Sequence, residues 1–174
     1  MDNLQNIVVR KAHLNDVEEI VKIHVTTWKE SYKDYVKPEI LNSPYFSFSQ
    51  ERVKKMKESV QKGLVYVVED NQKIMGFLGL LEEPKNETEV KVFYVFPNSQ
   101  RKGYGSKLFH HVMQELKKQN CETVFLWTMK DYQVSNAFYQ KNGGQLTGEE
   151  MRLKIEVDTV KYVFHLNEKQ NERD

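Results

Sequence analysis

The stretch Gln100-Arg101-Lys102-Gly103-Tyr104-Gly105-Ser106 has the residue types and spacing to bind an anion. It follows an apolar run, Val90 to Phe96, and leads into Leu108, Val112 and Leu116, which recur at helical spacing with Phe109 and Met113 alongside. A helix start leaves backbone N–H groups without partners, and the helix dipole adds partial positive charge there. An anion fits such a place. Glycine lets the backbone bend freely and lets a phosphate approach, because no Cβ intrudes. The amides of Arg101, Lys102, Gly103, Tyr104, Gly105 and Ser106 therefore read as a diphosphate cradle, with the Arg101 and Lys102 side chains adding charge. The competing reading is a plain strand-to-helix turn. A Walker A loop is absent, since no Gly-Lys-Ser/Thr follows an earlier Gly at the required gap. A dinucleotide fingerprint needs a third Gly or Ala where this chain has Leu108.

The elements that must position this loop follow from local pattern. Ile7 to Arg10 is a β-branched run and predicts a first strand. Asn15 or Asp16 can cap a helix carrying Val17, Ile20, Val21, His24 and Trp28 on one face. Pro38 and Pro44 break the next stretch. Gln50 to Gln61 reads as a polar helix ended by Gly63. Leu64 to Val68 and Ile74 to Leu81 predict strands around a turn at Asp70-Asn71. Val90 to Phe96 is a strand covered on both faces. Val124 to Thr128 is another strand, Ser135 to Lys141 a short helix stopped at Gly143-Gly144. Met151 to Val157 and Thr159 to Leu166 predict a closing hairpin around Asp158. The layout is a mixed α/β domain on a single sheet.

The chain has 174 residues, 39% hydrophobic and 29% charged, which suits one globular domain over residues 1–166 with a polar, frayed tail at 167–174. The net charge of +1 gives no bulk field to recruit nucleic acid or an anionic membrane. The single cysteine, Cys121, cannot form an intramolecular disulfide. The N-terminus lacks a signal-peptide layout, and no apolar run matches a membrane span. These features predict a cytoplasmic protein.

Beyond the glycine loop comes Ser135-Asn136-Ala137-Phe138-Tyr139 and then Gly143. With these residues the sequence resembles the GNAT superfamily of N-acetyltransferases, through its Gln/Arg-x-x-Gly-x-Gly/Ala acetyl-CoA motif and its Phe-Tyr-x-x-x-Gly motif. The resemblance implies a mixed, mostly antiparallel sheet with a splayed parallel central strand pair and flanking helices. It implies acetyl-CoA as co-substrate, with the backbone of Phe93, Tyr94 and Val95 hydrogen-bonding the pantetheine arm and the Phe93 N–H polarising the thioester carbonyl. Glu89, just before the expected strand and eleven positions before Gln100, stands where the histone-modifying branch has its general base. Tyr139 takes the place of the general acid; a phenol keeps its proton at neutral pH and can pass it to a leaving thiolate. Asn136 takes the place of an amide that touches the coenzyme A arm. The competing readings are a solvated strand-end charge for Glu89, a packing ring for Tyr139, and a residue capping its own turn for Asn136. Two positions depart from the family pattern: Tyr132 where many members have Asn, and Gly144 where many have Phe.

Acceptor choice in the resembling family lies in the first helices and the loop between them. His24, Trp28 and Tyr32 form one helical stripe, with Tyr35 nearby. A wall of Trp28, Tyr32 and Tyr35 could hold an ammonium by cation–π contact, against the plainer reading that Trp28 packs on the sheet. Tyr45, Phe46 and Phe48 are expected as a lip over the acceptor. His110 and His111 are adjacent on a helix and point apart, so no metal is expected. The expected partners are a small-molecule or protein amine and, for assembly, a second copy of the chain in a homodimer. The alternative to an enzyme is a non-catalytic acyl-CoA-binding or regulatory module on the same fold.

Overall fold

A computed structural model describes residues 6–84 and 86–167. The described residues form two compact units, one within 1–80 and 92–112 and the other within 81–91 and 113–174. Most of the expected tail, 168–174, lies outside the described residues.

In the first unit, β1 (Ile7–Lys11) runs antiparallel to β2 (Val65–Asp70), and β2 antiparallel to β3 (Lys73–Glu83). The β2–β3 turn is Asn71-Gln72, both at positive φ (49° and 65°), the conformation a tight two-residue hairpin requires. Helix α1 (Val17–Tyr32) enters through Asp16, but not by the expected side-chain cap. The Asp16 carboxylate turns back instead, accepting from the His13 N–H at 2.7 Å and from Arg10 at 2.8 and 3.2 Å. A short α2 (Pro38–Leu41) begins at the proline expected only to interrupt the chain. Helix α3 (Gln50–Gln61) has the expected bounds, because Ser49 caps the Arg52 N–H and Gly63 supplies the left-handed exit (φ 70°). Ile20, Ile23, Val65, Val67, Ile74 and Phe77 form the core of this unit, with Val53, Met56, Val92, Tyr94 and Phe96 packed against it.

Strand β4 (Glu87–Val95) starts three residues before the expected Val90. Thr88 and Glu89 are buried inside it, so Glu89 is an in-strand residue and not a residue preceding the strand. Helix α4 (Tyr104–Lys118) follows the glycine loop.

In the second unit, β4 pairs in parallel with β5 (Thr123–Met129) through Glu87–Thr123, Thr88–Val124 and Glu89–Phe125. β5 pairs antiparallel with β7 (Asp158–His165) along its whole length, and β7 with β6 (Gln145–Arg152). Helix α5 (Gln133–Lys141) precedes β6. The expected hairpin around Asp158 is displaced. Its turn is residues 153–157, closed by Leu153 N–H to the Val157 carbonyl (2.8 Å) and Glu156 N–H to the Leu153 carbonyl (3.0 Å), with Glu156 at φ 64°. Ile155 and Val157 are buried there, so their apolar alternation serves loop packing. All eight residues of β6 are exposed, which removes the two-residue hydrophobic period that marks a strand.

β3 and β4 contribute residues to both units, and the hydrogen-bonded strand order among the described residues is β1-β2-β3-β4-β5-β7-β6, a seven-stranded mixed sheet with the parallel β4–β5 pair and flanking helices.

Candidate functional site

The glycine loop hangs from the end of β4 by defined bonds. After Val95 a single turn of 3-10 helix, Pro97–Ser99, is closed by Ser99 N–H to the Phe96 carbonyl at 2.8 Å. The Gln100 side chain then donates from Nε2 to the Val95 carbonyl at 3.0 Å. Arg101 (φ 62°) and Gly103 (φ 86°) both adopt the left-handed conformation, flanking Lys102. Left-handed residues in such a run turn successive N–H groups toward one concavity, which suits an anion. The Lys107 N–H donates to the Gly103 carbonyl at 3.0 Å, so the amides of the α4 first turn lie ahead of that helical bond. Arg101, Lys102 and Gly103 are exposed, and Ser106 is half-buried. Tyr104 anchors the helix start: it is buried, and its hydroxyl donates to Asp70 Oδ2 at 2.7 Å.

The two glycines differ. A Cβ on Gly103 would meet no protein atom within 4 Å, but its φ disfavours any side chain. A Cβ on Gly105 would sit 3.5 Å from Val95 Cγ2 and 3.6 Å from Phe93 Cζ, ordinary contact. The loop residues thus fit a diphosphate: amides, two basic side chains, and open space above Gly103.

Phe93, Tyr94 and Val95 are half-buried and lie beyond the three parallel β4–β5 pairs. The Phe93 ring stacks on Phe109 at 5.9 Å, and the Tyr94 ring on His24 at 5.0 Å.

In the second unit, the buried Glu89 has Lys91 Nζ 3.5 Å from Oε1. Tyr139, 7% exposed, packs its ring against Phe138, Tyr162 and Phe164, with centroids 5.6, 5.7 and 6.4 Å away. Gly144 explains its own departure from the family pattern: a Cβ there would lie 2.8 Å from Phe164 Cζ and 2.9 Å from the Tyr139 carbonyl. Phe164, from β7, fills that space. Asn136 uses both ends of its amide within the fold. Nδ2 donates to the carbonyls of Met129 (3.0 Å), Tyr132 (2.8 Å) and Lys130 (3.3 Å), and Oδ1 accepts from the Tyr162 hydroxyl at 2.9 Å.

On the acceptor side, Trp28 is 9% exposed and belongs to the core. Its ring lies 4.1 Å from Phe46 and 5.2 Å from Tyr45, and its cation is the chain's own Arg52, 5.4 Å from the ring centroid. Tyr32 is half-buried and Tyr35 exposed. Phe46 is fully buried, which takes it out of the expected lip and leaves Tyr45 and Phe48 exposed on either side of it. His24 is sandwiched between Trp28 (5.1 Å) and Tyr94. Burial first, and the nearby Arg52 charge second, push its imidazole down to about 4. Arg52 escaped the sequence reading; its signal was an arginine three residues after a capping serine, beside the aromatic run 45–48.

Among the described residues no group of three or more His, Cys, Asp and Glu could hold a metal ion, and no helix is long and apolar enough to cross a membrane.

Residues 17–144 match the family model described as the acetyltransferase (GNAT) family. A curated relative, the uncharacterized N-acetyltransferase YuaI of Bacillus subtilis, is 25% identical over 148 residues, covering 83% of each chain. The fold is shared with the PaiA N-acetyltransferase of Thermoplasma acidophilum, solved in complex with coenzyme A (TM-score 0.74, 19% identity, 91% of this chain and 99% of that one). It is shared also with yncA of Salmonella typhimurium, solved with its cofactor acetyl-CoA (TM-score 0.74, 18% identity, 95% and 96%). The chain belongs to the GNAT family and is an acetyl-CoA-dependent N-acetyltransferase.

Proposed function

We propose that the chain transfers the acetyl group of acetyl-CoA directly to a primary amine, using Glu89 as base and Tyr139 as acid. The observation that carries the reading is the loop itself: Gln100 bonded to Val95, then left-handed Arg101 and Gly103 opening onto α4. The backbone amides of residues 101–106 hold the diphosphate, and Arg101 and Lys102 offset its charge. The backbone of Phe93, Tyr94 and Val95 lies along the pantetheine arm, and the Phe93 N–H polarises the carbonyl under attack. Acetyl-CoA supplies the acetyl thioester. Glu89 takes, through a water, the proton the amine gives up as the C–N bond forms. Tyr139 Oη gives a proton to the sulfur as the C–S bond breaks. Asn136, with its amide engaged inside the fold, acts here by fixing the start of α5 and so the helix that carries Tyr139. Tyr32 and Tyr35 face the acceptor, while Trp28 supports that wall from the core.

Residues 1–166 act as one acetyltransferase domain in this reading, supported by the family match across 17–144 and by β3, β4 and α4, which contribute to both units. The reaction belongs to the cytoplasm, a setting that suits the free, buried Cys121 thiol, and needs no metal. A homodimer is proposed on the strength of β6, an edge strand exposed throughout with Leu146 and Met151 on its surface; sedimentation at micromolar concentration decides it.

Titration calorimetry with acetyl-CoA and coenzyme A release across an amine panel test the proposal. Binding with turnover is expected. Binding without turnover of any amine would leave an acyl-CoA-binding module, and no binding at high micromolar ligand would remove the cofactor assignment.

A further inference from the structure

Arg52, in the first turn of α3, is a cation held in place by backbone carbonyls, without a carboxylate partner among the described residues. Its Nε donates to the Ser47 carbonyl at 3.1 Å and its Nη2 to the Tyr45 carbonyl. The guanidinium lies 5.4 Å from the Trp28 ring and 5.7 Å from the Tyr45 ring. It is half-buried, yet among the described residues no carboxylate comes within the 4.0 Å of an ion pair. Arg10, by contrast, is paired with Asp16 and Glu69, and Arg152 with Asp158. Two of the five guanidinium N–H donors are spent on backbone carbonyls, which aim the fork and leave the rest for a ligand.

The surroundings select the ligand. An acceptor ammonium would seek the open face of an aromatic ring, and the faces of Trp28 and Tyr45 already carry Arg52. A second cation placed there meets like charge. His24, stacked on Trp28 at 5.1 Å, adds no charge at neutral pH. The same stack continues to Tyr94 of β4 at 5.0 Å, so the unpaired cation and the strand assigned to the cofactor arm are joined through two rings of one unit.

We propose that Arg52 binds a carboxylate on the acceptor, so that this enzyme acetylates amines carrying a nearby carboxylate, amino-acid-like zwitterions, and not polyamines. The inference rests on the transferase reading above and deepens it. A planar carboxylate accepts two parallel N–H bonds from such a fork, which an amide or a bare amine cannot reproduce.

The test is a matched panel: the common α-amino acids, each with its carboxamide and its decarboxylated amine, assayed by coenzyme A release, with acetyl-CoA affinity measured alongside. The wild-type chain is expected to favour the acids over their amides about 10-fold or more in kcat/KM, as the loss of a charge-assisted hydrogen bond implies. Arg52→Met should raise KM for the acids about 10-fold and bring the acid-to-amide ratio in kcat/KM toward unity; Arg52→Lys should keep part of the preference. If Arg52→Met unfolds, the wild-type panel and Arg52→Lys still decide. Equal use of acid and amide, a preference that survives Arg52→Met, or turnover confined to uncharged or polycationic amines overturns the inference while the transferase reading stands. Acetyl-CoA binding with no panel member acetylated also overturns it. Failure to bind acetyl-CoA at all brings down the transferase reading, and this one with it.

Discussion

The Gln100 side chain closes onto the Val95 carbonyl at 3.0 Å, tying the first residue of the glycine loop to the end of the strand it leaves. The bond gives the Gln of Gln-x-x-Gly a physical role, because it holds Arg101 and Gly103 in register with α4. Gln100→Leu removes the donor and leaves a half-buried carbonyl without it, a cost of about 1 kcal/mol. Acetyl-CoA affinity is expected to fall about 5-fold, with thermal stability lowered by a few degrees. Unchanged affinity in calorimetry would show that the loop keeps its shape without the tie.

Gly103 and Gly105 should differ in their tolerance of a side chain. At φ 86°, a side chain on Gly103 costs about 1–2 kcal/mol in strain, and it would stand where the diphosphate approaches. Gly103→Val is therefore expected to weaken acetyl-CoA binding about 10-fold or more while the fold survives. Gly105→Ala adds a methyl at ordinary contact distance from Val95 and Phe93, so melting temperature and affinity should stay near wild type. Equal losses in the two variants would contradict the distinction.

Tyr139→Phe separates packing from chemistry, because the ring contacts with Phe138, Tyr162 and Phe164 persist. Loss of a general acid typically costs about 100-fold or more in rate. The variant should melt near the wild-type temperature, bind acetyl-CoA normally and lose about that factor in kcat. Equal kcat in the two proteins would dismiss Tyr139 as the acid.

Asn136 poses the reverse case. Its amide joins three carbonyls at the β5–α5 junction to the Tyr162 hydroxyl of β7. Asn136→Ala strands those partners, at about 2 kcal/mol or more in unfolding free energy. Urea denaturation should show that loss, and acetyl-CoA affinity should change little. A large affinity loss with normal stability would restore a direct cofactor contact.

Local chemistry explains what could be read from the chain. Ser49 and Gly63 bracket α3 with short-range signals, and the Gln100-to-Ser106 pattern carries its own backbone requirement in Gly103. The failures share a cause as well. Glu89 stands just ahead of the expected strand, yet parallel pairing of Thr88 and Glu89 with Val124 and Phe125 draws both into buried positions within it. Phe46 looked like a mobile lip until the Trp28 ring, 4.1 Å away, placed it in the core. Arg52 looked like one more charge on a polar helix, because its meaning depends on carbonyls of the preceding loop and on a ring from α1. Contacts between segments far apart in the chain decide these positions, and no local periodicity encodes them.

His24 makes stability depend on pH in a defined window. Its folded imidazole is lowered from 6.5 to about 4, chiefly by burial between Trp28 and Tyr94 and then by the Arg52 charge. Below pH 6.5 the unfolded chain takes up a proton that the folded chain refuses until about pH 4. The unfolded state therefore binds more protons in that interval, and stability falls as pH drops through it; above 6.5 the contribution is complete. The gap between the two values corresponds to about 3 kcal/mol. His24→Phe keeps an aromatic ring in the stack and removes the titration. Between about pH 7.5 and pH 4.5 the wild type should lose about 2–3 kcal/mol more unfolding free energy than the variant, since the carboxylates titrate alike in both. Urea denaturation curves at the two pH values measure the difference, and parallel losses in the two proteins would mean that the His24 imidazole takes up its proton in the folded chain as readily as in the unfolded one.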